Sequence, residues 1–166
     1  MTCHNAEGGG TLGIETAQLN LKDSDGGEQL DRIAALDVFD APLPQPYTAA
    51  LTDSTTDNLA EPAYLHANCS FCHRPGGVYP SFDLRFDTPF AERAICNAPS
   101  QVQLSPYDAT PVILAPGNPN GSSLVYAGDP WAHLFCASSG ACDFSNQSYG
   151  RSPLLSAWIQ SISSCP

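Results

Sequence analysis

Two cysteines three positions apart, with a histidine directly after the second, constrain this chain more than any other feature. They are Cys69, Cys72 and His73. Residues 61–71 predict a helix with a proline in its first turn and an acidic residue beside it. The proline and two glycines at positions 75–77 cannot all be helical, so this helix is expected to end by His73. Two thiols and an imidazole therefore follow one another at the end of a predicted helix.

Cys-x-x-Cys-His is the attachment signature of a c-type haem. At this spacing Cys69 and Cys72 reach both vinyl groups of one porphyrin, and His73 offers a ring nitrogen to the iron from the same side. We therefore predict one covalently bound haem c. Three other interpretations compete with it. The first is a redox disulfide, which is expected within a βαβ pattern, and the second is a zinc site, which needs a second Cys-x-x-Cys pair. The sequence has neither feature. The third is an ordinary disulfide, which has no such requirement.

The remaining helical patterns are short and widely separated. Residues 27–39 have apolar side chains at helical spacing, residues 123–126 predict a short helix, and residues 152–162 predict an amphipathic closing helix. Proline- and glycine-rich loops separate these helices, so we expect a mainly α fold in which an apolar macrocycle completes the core. The apolar positions are Leu30, Ile33, Leu36 and Val38 or Phe39 in the first pattern, and Leu154, Leu155, Trp158, Ile159 and Ile162 in the last.

A change of composition near residue 58 predicts the domain boundary. Residues 41–46 contain three prolines and predict an extended linker, and residues 47–60 are rich in Thr, Asp and Ala. We therefore expect residues 1–58 to form an N-terminal extension with one short helix and this linker. Residues 59–166 are expected to form the main domain.

Four segments occur in an order that is found in one family. They are the motif segment at 64–77, Phe-Asp-Leu-Arg-Phe-Asp at 82–87, Pro-Gly-Asn-Pro followed by Ser-Leu within 113–126, and Leu-Ser-Ala-Trp-Ile at 155–159. Together they resemble bacterial cytochrome c-like proteins related to the planctomycete-type cytochrome c domains. The resemblance covers residues 59–163 and also reaches 12–20 and 40–43. It implies a cytochrome c-like fold with few short helices and long Pro/Gly-rich loops, and electron transfer as the function.

The second iron ligand is where the chain departs from this family. Such domains usually have a Met-Pro-Pro segment before the last helix, and its methionine binds the iron. Here the only methionine is Met1, and the corresponding stretch contains Trp131 and His133. We expect His133 to be the distal ligand, with an open or water-bound iron as the alternative. His66 is expected to brace a neighbouring carbonyl or propionate, and Trp131 and Trp158 to pack against rings or the core.

Two arginines flank the motif in a chain with only six basic residues. Arg74 and Arg85 are expected to neutralise the haem propionates, because arginine suits bidentate contacts with carboxylates. A second feature lies at the start of the chain, where Cys3 and His4 match the end of another Cys-x-x-Cys-His motif. A truncated N-terminus would explain both this remnant and the absence of a visible export signal. An unpaired thiol on a mobile terminus is the alternative.

The seven cysteines and the single lysine indicate a protein of the periplasm or the cell exterior. Cys96, Cys136, Cys142 and Cys165 remain outside the motif and allow three pairings. We favour Cys136–Cys142, which closes a short loop, and Cys96–Cys165, which ties the C-terminus to the body of the domain.

The charge balance limits the partners. With 17 acidic and 6 basic residues the net charge is −11, so no basic stripe exists for nucleic acid or an anionic membrane. No apolar run is long enough to form a transmembrane segment. A basic redox partner protein or a fused redox domain fits the charge. No catalytic triad or phosphate loop is present. Two alternatives to an electron carrier remain, a five-coordinate haem enzyme acting on peroxide and a haem-free, disulfide-stapled interaction module.

Overall fold

The computed structural model describes residues 4–10, 14–47, 60–101, 112–127 and 152–166. Contacts between residues divide the chain into two compact units, residues 1–87 and 88–166. The boundary predicted near residue 58 lies outside the described residues, and the division by contacts falls elsewhere, after Asp87. The N-terminal segment and the motif helix therefore belong to the same unit. Among the described residues no helix is long and apolar enough to cross a membrane.

Three α-helices lie within the described part of the first unit. They are α1 (Thr16–Leu19), α2 (Gln29–Ala34) and α3 (Ala60–Cys69). At the start of α1 the backbone N–H of Glu15 donates to Oε1 of Gln18 at 2.7 Å, which satisfies a donor that a helix start otherwise leaves without a partner. The α3 helix confirms the predicted helix before the motif, although it ends at Cys69 and not beyond it.

The α2 helix is shorter than the pattern over 27–39 predicts. Leu30 is fully buried, as expected, but Leu36 and Val38 are 71% and 60% exposed. Asp37 has a φ of 54°, and an L-residue in this left-handed region cannot continue a right-handed helix. The prediction that Leu36 and Val38 extend the apolar face of this helix is therefore wrong.

The core of the first unit joins segments that are far apart in the sequence. Leu30, Leu65 and Leu84 are almost completely buried. Ala17 of α1 and Ala63 of α3 form a buried cluster, and the ring of Phe86 packs against it. The segment around α1 thus belongs to the core beside the motif helix, because the small side chain of Ala17 allows α1 to lie close to α3 at Ala63.

The described residues of the second unit contain two α-helices and two 3-10 turns. The turns are Phe90–Glu92 and Pro119–Gly121, and the helices are α4 (Ser123–Ala127) and α5 (Pro153–Ser161). Both helices confirm predictions from the sequence. At the start of α5 the hydroxyl of Ser152 accepts from the N–H of Leu155 at 3.3 Å, and a proline occupies the first helical position.

The buried face of α5 is narrower than its apolar pattern. Leu155 and Ile159 are 1% and 0% exposed, whereas Leu154 and Ile162 are half-buried. Trp158 meets Phe90 edge to face, with ring centroids 5.9 Å apart, which confirms its predicted packing role. The other tryptophan, Trp131, lies outside the described residues.

A disulfide between Cys96 and Cys165 ties the end of the chain to the body of the second unit. Their Cα atoms are 5.8 Å apart, and the pairing is the one expected from the sequence. The other predicted disulfide, Cys136–Cys142, lies outside the described residues. Since the closed loop spans 69 positions, this cross-link restricts the unfolded chain strongly.

Replacing Cys96 and Cys165 together by alanine is expected to lower the free energy of unfolding by about 2–4 kcal/mol, because a loop of this length gains much entropy on release. Urea denaturation of the variant and of the wild type measures the difference. Asn97→Gly serves as the control, since Asn97 Nδ2 lies 3.1 Å from Cys165 Sγ and this variant removes that contact while keeping the cross-link and tolerating the φ of 53° at this position. An unchanged free energy in the double variant would contradict a stabilising role of the disulfide.

Candidate functional site

The motif residues occupy the last position of α3 and the turn after it. The N–H groups of Cys72 and His73 both donate to the carbonyl of Cys69, at 3.1 and 3.0 Å. Cys69 and Cys72 are thiols and half-buried, and His73 is only 8% exposed. One tight turn thus keeps the two sulfur-bearing residues and the histidine together, as the sequence predicts.

Gly77 makes this turn possible. A Cβ atom at this position would lie 2.5 Å from the carbonyl oxygen of Cys72, closer than real contacts allow. The same oxygen accepts from the N–H of Tyr79 at 3.0 Å, and Gly77 itself donates to Arg74 O at 2.9 Å. Only glycine permits so close an approach of two backbone segments. The sequence identifies this glycine as a helix stop, but its contact with the motif backbone depends on the folded turn.

Two aromatic rings contact the imidazole of His73. Phe82 lies nearly parallel to it, with centroids 4.3 Å apart and planes inclined by 13°, and Tyr79 lies 5.5 Å away at 26°. The N–H of Leu84 donates to the carbonyl of His73 at 3.0 Å. Stacking holds a ring by its face, whereas imidazole coordinates a metal through nitrogens at its edge. The sequence offered no signal for these two rings beyond their presence in the segment after the motif.

Burial determines the chemistry of the first thiol. Desolvation, and next the nearby charge of Cys72, raise the pKa of Cys69 from 9.0 to about 12. Desolvation also raises the pKa of the neighbouring phenol of Tyr64. Thiol–disulfide exchange requires a thiolate, and reactive Cys-x-x-Cys pairs have lowered pKa values. The environment of Cys69 therefore argues against a thioredoxin-like redox disulfide.

His66 lies on α3, one turn before the motif, and uses both ring nitrogens. Nδ1 accepts from the N–H of Phe86 at 3.0 Å, and Nε2 lies 2.9 Å from Oε2 of Glu15. Because Nδ1 is an acceptor, these partners assign the ring proton to Nε2, which donates to the carboxylate. The sequence predicts a bracing role for His66, but its partners are a backbone N–H and a carboxylate, not a carbonyl or propionate.

The structure places both flanking arginines against oxygen atoms of the protein. Arg74 donates through Nε to the carbonyl of Ser70, through Nη2 to its hydroxyl at 3.0 Å, and through Nη1 to Glu7 O at 3.0 Å. Arg85 bonds both carboxylate oxygens of Asp83, at distances of 2.6–3.0 Å. Contacts of Arg74 and Arg85 with propionates remain a prediction.

The other candidate ligands fall largely outside the described part of the chain. His133 and Cys3 are not among the described residues. His4 is exposed, and its Nδ1 lies 3.1 Å from the carbonyl oxygen of Gly10. Within the described residues no group of three or more His, Cys, Asp or Glu side chains is arranged to hold a metal ion.

No protein-family model matches the chain, and neither a curated protein nor a solved structure matches it.

In the haem-free chain, Cys69 is expected to react with iodoacetamide at pH 8 roughly 10–100-fold more slowly when folded than when unfolded in urea. A rise of its pKa from 9.0 to about 12 lowers the thiolate fraction about a thousandfold, and the greater nucleophilicity of a more basic thiolate offsets part of that loss. Peptide mass spectrometry with timed quenching measures the rate at this one cysteine.

The variant Cys72→Ser is the matched control, because it removes the smaller cause of the shift and keeps the burial of Cys69. The variant is expected to retain most of the protection. Equal labelling rates in the folded and unfolded chains would show that Cys69 is accessible and ionisable.

Proposed function

We propose that the chain is a c-type cytochrome domain with a cytochrome c-like fold, and that it transfers single electrons outside the cytoplasm. In this proposal Cys69 and Cys72 bind one haem through thioether bonds, and His73 ligates its iron. The observation that carries the proposal is the turn in which two thiols and a histidine with a stacked ring follow one another. The Cys-x-x-Cys-His signature gives that turn its interpretation.

The donor set fits a haem that is attached from one side. Both motif cysteines are thiols, which thioether formation requires, and they stand three positions apart in the sequence, as the attachment signature has them. His73 is buried, and the ring of Phe82 restricts its rotation. Bound haem supplies an iron that cycles between the ferric and ferrous states. The chain's own residues would hold the macrocycle, present the imidazole and keep water from it.

The cross-link between Cys96 and Cys165 supports the proposed location. Structural disulfides form and persist in the periplasm and outside the cell, where c-type haem is also attached in bacteria. A disulfide that closes a long loop is of structural and not catalytic character. This agrees with an exported electron carrier.

The charges of the described residues support a basic partner. Each described basic side chain contacts an acidic group or a carbonyl oxygen, and these side chains are Lys22, Arg32, Arg74, Arg85 and Arg93. These positive charges are thus bonded to groups of the protein itself, while the chain as a whole has a net charge of −11. We propose a redox partner protein, or a fused redox domain, with a basic contact surface, because opposite charges speed association.

The wild-type protein, exported in a host with cytochrome c maturation, is expected to contain one covalent haem per chain. A pyridine haemochrome assay with a reduced-minus-oxidised spectrum measures it. Cys69→Ser with Cys72→Ser should abolish covalent haem, because both thioethers are lost. The matched control is Cys96→Ser with Cys165→Ser, which removes as many cysteines elsewhere and should keep the haem.

A wild-type protein without haem under these conditions would overturn the proposal and leave a disulfide-stapled interaction module. A high-spin ferric spectrum with peroxide turnover would instead favour a haem enzyme.

For the distal ligand we propose His133, on the sequence grounds given above. Replacing His133 by methionine is expected to raise the reduction potential, since a bis-histidine iron has a lower potential than a His/Met iron. Redox titration with absorption spectra measures the change. His4→Met is the matched control, because His4 is exposed and bonded to its own loop. An unchanged potential and spectrum in the His133 variant would contradict this ligand assignment.

A further inference from the structure

His66 connects three segments of the first unit. It lies on α3 and is 8% exposed. Its Nε2 contacts Glu15, which precedes α1, and its Nδ1 accepts from the N–H of Phe86, which follows the motif. A histidine whose two nitrogens are both bonded has a defined ring orientation and a defined tautomer.

The segment from Phe82 to Phe86 leads from His66 to the motif histidine. Its last residue donates its N–H to His66, and the ring of Phe86 packs on the alanine cluster of α1 and α3. In the middle, Leu84 is 1% exposed and donates its N–H to the carbonyl of His73. Its first residue, Phe82, lies 4.3 Å from the imidazole of His73. The residue bonded to His66 and the residue stacked on His73 thus lie four positions apart in the sequence.

This arrangement gives His66 an influence on a ring that it does not touch. If Nδ1 of His66 were absent, the N–H of Phe86 would lose its acceptor, and one of the two ends that hold the segment would be loosened. The stacking partner Phe82 would then be held mainly by its neighbour Leu84. The imidazole of His73 would lose support on the face that Phe82 covers, because that ring lies nearly parallel to it and limits its rotation.

We propose that His66 is a positioning residue for His73, acting through the backbone of Phe86 and the ring of Phe82 to set the plane of the motif imidazole. The consequence for the iron rests on the proposed function. Residues behind a metal ligand commonly fix its orientation, and their loss changes the properties of the metal. The orientation of His73 itself is a property of this chain and is measurable without haem.

The first test compares two substitutions of His66 in the haem-free full chain. Asparagine places an oxygen near the position of Nδ1 and keeps an acceptor for Phe86, whereas leucine fills the volume without any acceptor. NMR of the His73 ring protons reports the stacking, because the ring current of Phe82 shifts them upfield. His66→Leu is expected to remove at least half of that shift, and His66→Asn to retain most of it.

Packing alone predicts the opposite order, since leucine preserves apolar volume and asparagine does not. A retained shift in His66→Leu, or an equal loss in both variants, would overturn the proposal. Phe82→Leu should remove most of the shift and leave the smaller contribution of Tyr79. Phe90→Leu, which alters the ring beside Trp158 in the other unit, should leave the shift unchanged.

A measurement on the wild type keeps the proposal testable if His66→Leu does not fold. The ¹⁵N spectrum of His66 should show Nδ1 without a proton and Nε2 with one, and the amide of Phe86 should exchange slowly with solvent. A proton on Nδ1, or rapid exchange of that amide, would contradict the bond on which the proposal depends.

The second test uses the ferric holoprotein. The EPR g values of a low-spin haem depend on the plane of its axial imidazole, so His66→Leu should shift them and His66→Asn should not. A wild type without haem would overturn the proposed function, while the NMR comparison would still decide the positioning role. A haem-containing protein in which neither the g values nor the His73 shifts respond to His66→Leu would overturn the positioning role and leave the proposed function intact.

Discussion

The carboxylate of Glu15 is the contact on which the geometry around the motif depends. One oxygen lies 2.9 Å from Nε2 of His66 before the motif, and the other lies 3.9 Å from Nη2 of Arg74 after it. A single side chain from the N-terminal segment therefore joins both flanks of the Cys-x-x-Cys-His turn. Glu15 is 39% exposed, so its Coulomb energy is modest, and its main effect is geometric. It fixes the tautomer of His66, and that tautomer leaves Nδ1 able to accept from the segment that contacts His73.

The small number of basic residues also determines the net charge of the protein. The described arginines are bonded to carboxylates or carbonyl oxygens, as with Arg32 at Asp23 and Arg85 at Asp83. Because the chain has 17 acidic and only 6 basic residues, the cations that form ion pairs offset only part of the negative charge. A surface field of one sign keeps copies of the chain apart and attracts cationic partners.

Local signals predicted the helices on either side of the loops, and the small number of cysteine pairings predicted one long-range contact, whereas the other long-range contacts did not follow from the sequence. The helices around 61–69 and 153–161 were predictable because their caps, prolines and apolar spacing are adjacent in sequence. The Cys96–Cys165 pair was predictable because few pairings exist. The end of α2 was not, since the left-handed conformation of Asp37 leaves no trace in the apolar pattern. The partner of His66 was not predictable from the sequence either. Glu15 lies 51 positions away, and only the packing of α1 on α3 brings it close to His66.

In the proposed cytochrome, burial and charge act on the iron in opposite directions. Desolvation raises the pKa of Cys69 to about 12, and an apolar surrounding of an attached haem would disfavour the more highly charged ferric state. The net charge of −11 favours that state, and a second imidazole ligand would favour it as well. Salt screens the distant acidic side chains, while burial and ligation at the iron are local and escape screening. If the proposed haem is bound, the turn at residues 69–73 and the distal ligand would therefore set most of its potential, and the net charge would act mainly on the encounter with a partner.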